Sequence, residues 1–68
     1  MELREFLKSK RKASGMTQED LSSKAGVGLR LVREIEQGKT NMRMDKVNQI
    51  LALFGSELGA VQKQRRDD

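Results

Sequence analysis

Apolar residues fall along the chain in four short clusters at helical spacing, separated by glycine-marked breaks. Leu3, Phe6 and Leu7 form one stripe and predict a first helix over 2–13. Leu21 and Ala25, four apart, share one face of a second helix that starts after Thr17 and stops at Gly26. Val32 and Ile35 are the inward anchors of a third, over 28–37, closed by Gly38. Met44, Val47, Ile50, Leu51 and Phe54 keep core spacing through a fourth, ended by Gly55. Beyond it, Leu58 and Ala60 or Val61 alternate over a stretch too short for a helix, which predicts a short strand.

The polar residues mark the same boundaries. Glu2 and Glu5 open the first helix and Lys8, Lys10, Arg11 and Lys12 close it, the order the helix dipole favours. Thr17 can cap the second helix, and Asp20 three residues on completes a capping-box-like pair. A lone strand at 58–61 needs a partner, and the same strand of a second copy is the one in view; plain coil is the alternative.

Composition narrows the class. With 68 residues the expectation is one domain with a small core, no internal repeat and no linker. The absence of cysteine and histidine removes disulfides and leaves a zinc site only carboxylates. Self-association then remains as reinforcement for so small a fold. No metal or other cofactor is expected. Ser9-Lys10-Arg11-Lys12 satisfies S-x-x-K without its companion motifs, and Gly26-Val27-Gly28 follows no strand and lacks a third glycine. With no histidine to act as a base either, an enzyme is not expected. The net charge of +4 suits a polyanionic partner. No apolar run approaches a membrane span, and the charged N-terminus does not read as a leader, so a cytoplasmic protein is expected.

Turned at about 100° per residue, the third helix carries Arg30, Arg33 and Gln37 opposite or beside Val32, on one outward face with Glu34 at its edge. Leu29 and Leu31 border that face, and each can equally be a core-edge residue. The corner before it, Ala25-Gly26-Val27-Gly28, is built of small residues, with Ser22 where the two helices touch. Leu21, Ala25, Val27, Val32 and Ile35 occupy the buried places of a helix-turn-helix unit that starts at Gln18.

Leu7-Lys8-Ser9-Lys10-Arg11, Gly15-Met16-Thr17-Gln18 and Glu36-Gln37-Gly38-Lys39-Thr40 resemble the lambdoid phage repressor and Cro class of helix-turn-helix proteins, the XRE type, across roughly residues 3–55. Within that class the stretch from Gly26 to Gly55 is most similar to the HipB-like regulators, which are often antitoxins. The resemblance implies an all-α fold, a compact four-helix domain of the phage repressor type that binds double-stranded DNA as a homodimer. The boundaries that follow are 1–55 for the DNA-binding domain, 56–62 for a dimerisation segment with a short strand, and 63–68 for a flexible tail.

It also implies residue roles. Gly28, Leu29, Arg30 and Arg33 match recognition-helix positions that face bases, with Glu34 a further candidate. Phage repressors often carry glutamine or serine where this chain has Gly28 and Leu29, and Gly28 offers no side chain to a base. Thr17 and Gln18 match a phosphate anchor at a helix start, and Lys39, Thr40, Asn41 and Arg43 match a loop that grips the sugar-phosphate chain. Arg11 and Glu36 match a buried ion pair between the first and third helices. Leu58, Ala60 and Val61 match the pairing segment. The chemistry agrees: an arginine fork on guanine supplies about 1–3 kcal/mol of discrimination, and a leucine can meet a thymine methyl.

Plainer readings stand beside these. Arg30 and Arg33 can be solvated, and Arg11–Glu36 can be a surface pair of little worth. For the whole chain, the rival to a repressor is an antitoxin whose partner is a HipA-like toxin kinase. A basic helix resting on a membrane is a third and poorer idea.

Overall fold

The computed structural model describes residues 2–62. Four α-helices follow one another: α1 Leu3–Ala13, α2 Gln18–Ala25, α3 Leu29–Glu36 and α4 Met44–Leu51. The fourth tightens into a 3-10 turn, Ala52–Phe54, so the single helix expected over 44–54 is an α-helix with a different last turn. The expected tail at 63–68 lies outside the described residues.

The start of α2 and the helix stops have local causes. At α2 the capping box forms in full. Asp20 N–H donates to Thr17 Oγ1 at 3.0 Å, and Thr17 N–H donates to Asp20 Oδ2 at 3.0 Å. Two first-turn amides are thereby satisfied with opposite partners. The stops share one device. After α1, Met16 N–H reaches back to Arg11 O; after α2, Val27 N–H to Ser22 O; after α3, Lys39 N–H to Glu34 O; after the last turn, Ser56 N–H to Leu51 O. This is the six-to-one closure that wants a left-handed residue just before the donor. Gly26, at φ +71°, fills that place at the α2–α3 corner, where a β-carbon would be strained and would also come to 3.3 Å from Gln49 Nε2.

Leu7, Leu21, Ala25, Val32, Ile35, Val47, Ile50 and Leu51 form the buried core, one or more from every helix. α3 lies in the middle, packed on α2 and on α1, while α4 closes the far side against α2. Met44 is a correction. Its spacing from Val47 predicts an inward side chain, but it is 65% exposed, because as the first residue of α4 it sits at the rim where nothing covers it. Met42, in the loop between α3 and α4, packs on the core, as does Leu31.

Among the described residues there is no strand. The segment expected to pair runs without regular structure in the single chain, since a strand with no neighbour has no ladder to form. Leu58 turns inward onto the core, and its N–H donates to Asn48 Oδ1 at 2.6 Å. Ala60 and Val61 are exposed, Val61 by 89%. No helix among the described residues is long and apolar enough to cross a membrane.

Candidate nucleic-acid interface

The orientation of α3 is set by a polar cluster on its inner face. Arg11 Nε donates to Glu36 Oε2 at 2.7 Å and Arg11 Nη2 to Glu36 Oε1 at 3.0 Å, a two-pronged pair between α1 and α3. Arg11 Nη1 turns to Met16 O at 2.9 Å, and Gln18 Nε2 donates to Glu36 Oε1 at 3.2 Å. Three elements are thus tied at one carboxylate. The side chains are 12% and 3% exposed for Arg11 and Glu36, so the surface-pair reading does not describe this contact. Burial, the largest influence on Glu36, pushes its carboxyl up, but the hydrogen bonds from Arg11 and Gln18 outweigh it and leave the group below its ordinary value. The Glu36 bond in turn raises the Arg11 guanidinium above its own. Both stay ionised, which is what a desolvated pair needs to hold its geometry.

The corner is pinned separately. Gln49 of α4 donates through Nε2 to Ala25 O at 2.7 Å and Gly26 O at 3.2 Å, satisfying carbonyls that the end of α2 leaves open. Ser22, buried where α2 meets α3, bonds through Oγ to Glu19 O at 2.9 Å. That closes the cost of placing a hydroxyl at a helix contact. Gln49 and Asn48 carry no motif. Their targets lie 10 to 24 residues away, and no local pattern announces them.

On the outer face, Gly28 is the exposed N-cap of α3, with no atom within 4 Å of where a β-carbon would stand. A backbone or base edge can therefore approach closely there. Leu29 is half-buried at the first turn. The Arg30 side chain is 90% exposed, its Nε 3.7 Å from Glu34 Oε2 one turn on. Arg33 is exposed beside it, with Nη2 at 3.6 Å from Glu19 Oε1 of α2. Glu34 is half-buried, and Lys39 Nζ lies 2.6 Å from its Oε2. That hydrogen bond holds the Glu34 carboxyl below its usual range.

The expected backbone contacts divide into two groups. Lys39, Thr40, Asn41 and Arg43 are all exposed on the α3–α4 loop, with Arg43 forked onto Asp45 at 3.1 and 2.8 Å. Thr17 Oγ1 accepts from Asp20 N–H and Gln18 donates one amide N–H to Glu36, so each anchor is partly engaged within the fold and keeps a second donor, the Thr17 O–H and the other Gln18 N–H. The start of α2 adds its remaining first-turn backbone N–H groups as donors for an anion.

Small corner, buried α2–α3 wedge and an arginine-bearing outer face define a helix-turn-helix of the DNA-binding class. A helix-turn-helix family model matches residues 7–61, and the chain belongs to that family, in its phage repressor-like XRE branch. It is similar to the uncharacterized HTH-type transcriptional regulator y4mF of Sinorhizobium fredii (strain NBRC 101917 / NGR234), 38% identical over 48 residues. That alignment covers 71% of this chain and 63% of the relative, so the chain spans less than two thirds of that regulator's length. No solved structure matches.

Proposed function

We propose that this chain is a sequence-specific DNA-binding transcriptional repressor that reads a palindromic operator through the major groove as a homodimer. The observation that carries it is the outer face of α3. Arg30 and Arg33 project side by side from a helix whose inner face is locked by the Arg11–Glu36–Gln18 cluster. A helix held in this way can present two forks to base edges, while Lys39, Thr40, Asn41 and Arg43 meet the backbone and fix register. One copy contacts too few bases to single out a site. Two copies about one duplex turn, roughly 34 Å, apart would read a symmetric pair of half-sites. Val61, a large apolar side chain in water, and Ala60 beside it are what a second copy would cover.

The test is selection from random duplex DNA, followed by titration of wild type and Arg33→Ala on the selected site and on scrambled DNA. Arg33→Ala is expected to weaken the selected site by roughly tenfold and scrambled DNA far less. An equal loss on both would reduce Arg33 to a phosphate contact. The second reading, an antitoxin that also binds a HipA-like toxin, is supported by apolar Leu53 and Val61 standing exposed after α4. A co-purified kinase from the native host would favour it.

A further inference from the structure

Glu34 is out of place on a surface meant for a polyanion, and its contacts suggest why it is there. Both of its cations meet the same oxygen: Lys39 Nζ at 2.6 Å and Arg30 Nε at 3.7 Å from Oε2. Among the described residues the hydrogen bond to this carboxylate is that of Lys39 to Oε2, and the Arg30 contact, at 3.7 Å, is too long to be one. Arg30 and Glu34 are four residues apart on α3, so they share a face one above the other. Side by side they offer two donors from the Arg30 fork and then one acceptor, Glu34 Oε1. A G·C pair shows the converse order across the major groove: two acceptors, guanine N7 and O6, and then the donor, cytosine N4. An A·T pair shows acceptor, donor, acceptor and cannot satisfy the set.

Resting on the repressor reading above, we propose that Arg30 and Glu34 act as one unit that reads a single oriented G·C pair in each half-site. Arg30 takes guanine N7 and O6, and Glu34 Oε1 accepts from cytosine N4. Lys39 is the positioning residue. It holds Oε2, so the carboxylate stays fixed, and it offsets part of the charge that would otherwise repel phosphate. Glu34 thus adds selectivity in two ways. It rewards one donor at one place, and wherever that donor is missing it leaves a carboxylate facing acceptors.

The experiment measures base preference at every position of the selected half-site for wild type, Glu34→Gln and Arg30→Ala, with scrambled DNA as reference. The wild type is expected to disfavour every replacement of one G·C pair by about tenfold or more. Arg30→Ala should flatten that position, and Glu34→Gln should reduce its preference several-fold and raise affinity for scrambled DNA. Within the wild-type site, methylating cytosine N4 so that the methyl group faces the groove should weaken wild type and leave Glu34→Gln nearly unchanged. A Glu34→Gln profile identical to wild type at every position would overturn the role of Glu34 while leaving the repressor reading standing. A wild type with no base preference anywhere would overturn both. Unchanged circular dichroism and melting in Glu34→Gln exclude a folding defect as the cause.

Discussion

Replacing Glu36 by alanine should remove a large share of what holds this domain together. The carboxylate accepts three hydrogen bonds, two from Arg11 and one from Gln18, and its side chain is 3% exposed. Removing it leaves the Arg11 guanidinium largely out of water with Met16 O as its remaining partner. Breaking a buried pair from one side costs about 3–5 kcal/mol. Arg11 keeps an edge to solvent, so about 3 kcal/mol is the working figure. A domain of this length has only about 3–10 kcal/mol in total. At roughly 7 °C per kcal/mol for a chain this short, the melting midpoint should fall by about 20 °C. Thermal unfolding followed by circular dichroism measures it directly, and a fall of less than about 5 °C would refute the reasoning. The pH dependence gives a second check. The Glu36 carboxyl lies below its ordinary value of 4.5 in the folded chain, because the bonds from Arg11 and Gln18 exceed the opposing push of burial. Its contribution is therefore complete above that value, where the carboxylate is ionised folded or unfolded, and is lost as pH falls through the lower folded value. Asp20, Glu34 and Asp45 are shifted in the same direction, so the wild type alone cannot isolate Glu36. The difference between wild type and Glu36→Gln can: it should be largest near neutrality and shrink below pH 4.5.

Thr17→Ala removes the oxygen that receives Asp20 N–H and should cost about 1 kcal/mol, read as a drop of several degrees in the melting midpoint. Gly26→Ala places a β-carbon at φ +71° and should destabilise by about 1–2 kcal/mol. The nearby Gln49 amide is a side-chain end that can yield, so a much larger loss in chemical denaturation would mean that the corner itself had moved. On the repressor reading, Arg43→Ala should weaken all DNA alike and lower the slope of log affinity against log salt by about one. A loss confined to one sequence would speak against a phosphate role.

The parts of the fold that could be read along the chain are those whose causes lie within a few residues. The Thr17–Asp20 box and the glycine stops are four- to six-residue devices, and the core positions follow from helical spacing. What could not be read along the chain depends on neighbours distant in sequence, or on their absence. Gln18, expected as a phosphate anchor, also gives one amide N–H to Glu36 once α2 and α3 fold together. Met44 has core spacing but no neighbour at the rim. Leu58 alternates like a strand residue, yet Asn48 takes its amide and the core takes its side chain. In the candidate site, the outward face of Arg30 and Arg33 was visible from helix geometry. The fixing of Glu34 by Lys39 across the end of α3 was not.

On the repressor reading, two glutamates two residues apart on α3 let one short helix serve stability and recognition together. A step of two residues turns the helix by about 200°, so Glu34 and Glu36 must look in nearly opposite directions. Glu36 is taken inward by Arg11 and Gln18, and Glu34 is held at the outer edge by Lys39 and Arg30. Apolar contacts alone leave some freedom for α3 to roll, since Val32 and Ile35 are shape-filling and direction-poor. A forked Arg11–Glu36 pair does not, because rolling would strip hydrogen bonds from a desolvated carboxylate. The inner cluster therefore sets the azimuth at which Arg30, Arg33 and Glu34 meet whatever lies outside, and a loss of that cluster should blur recognition before it abolishes helical structure.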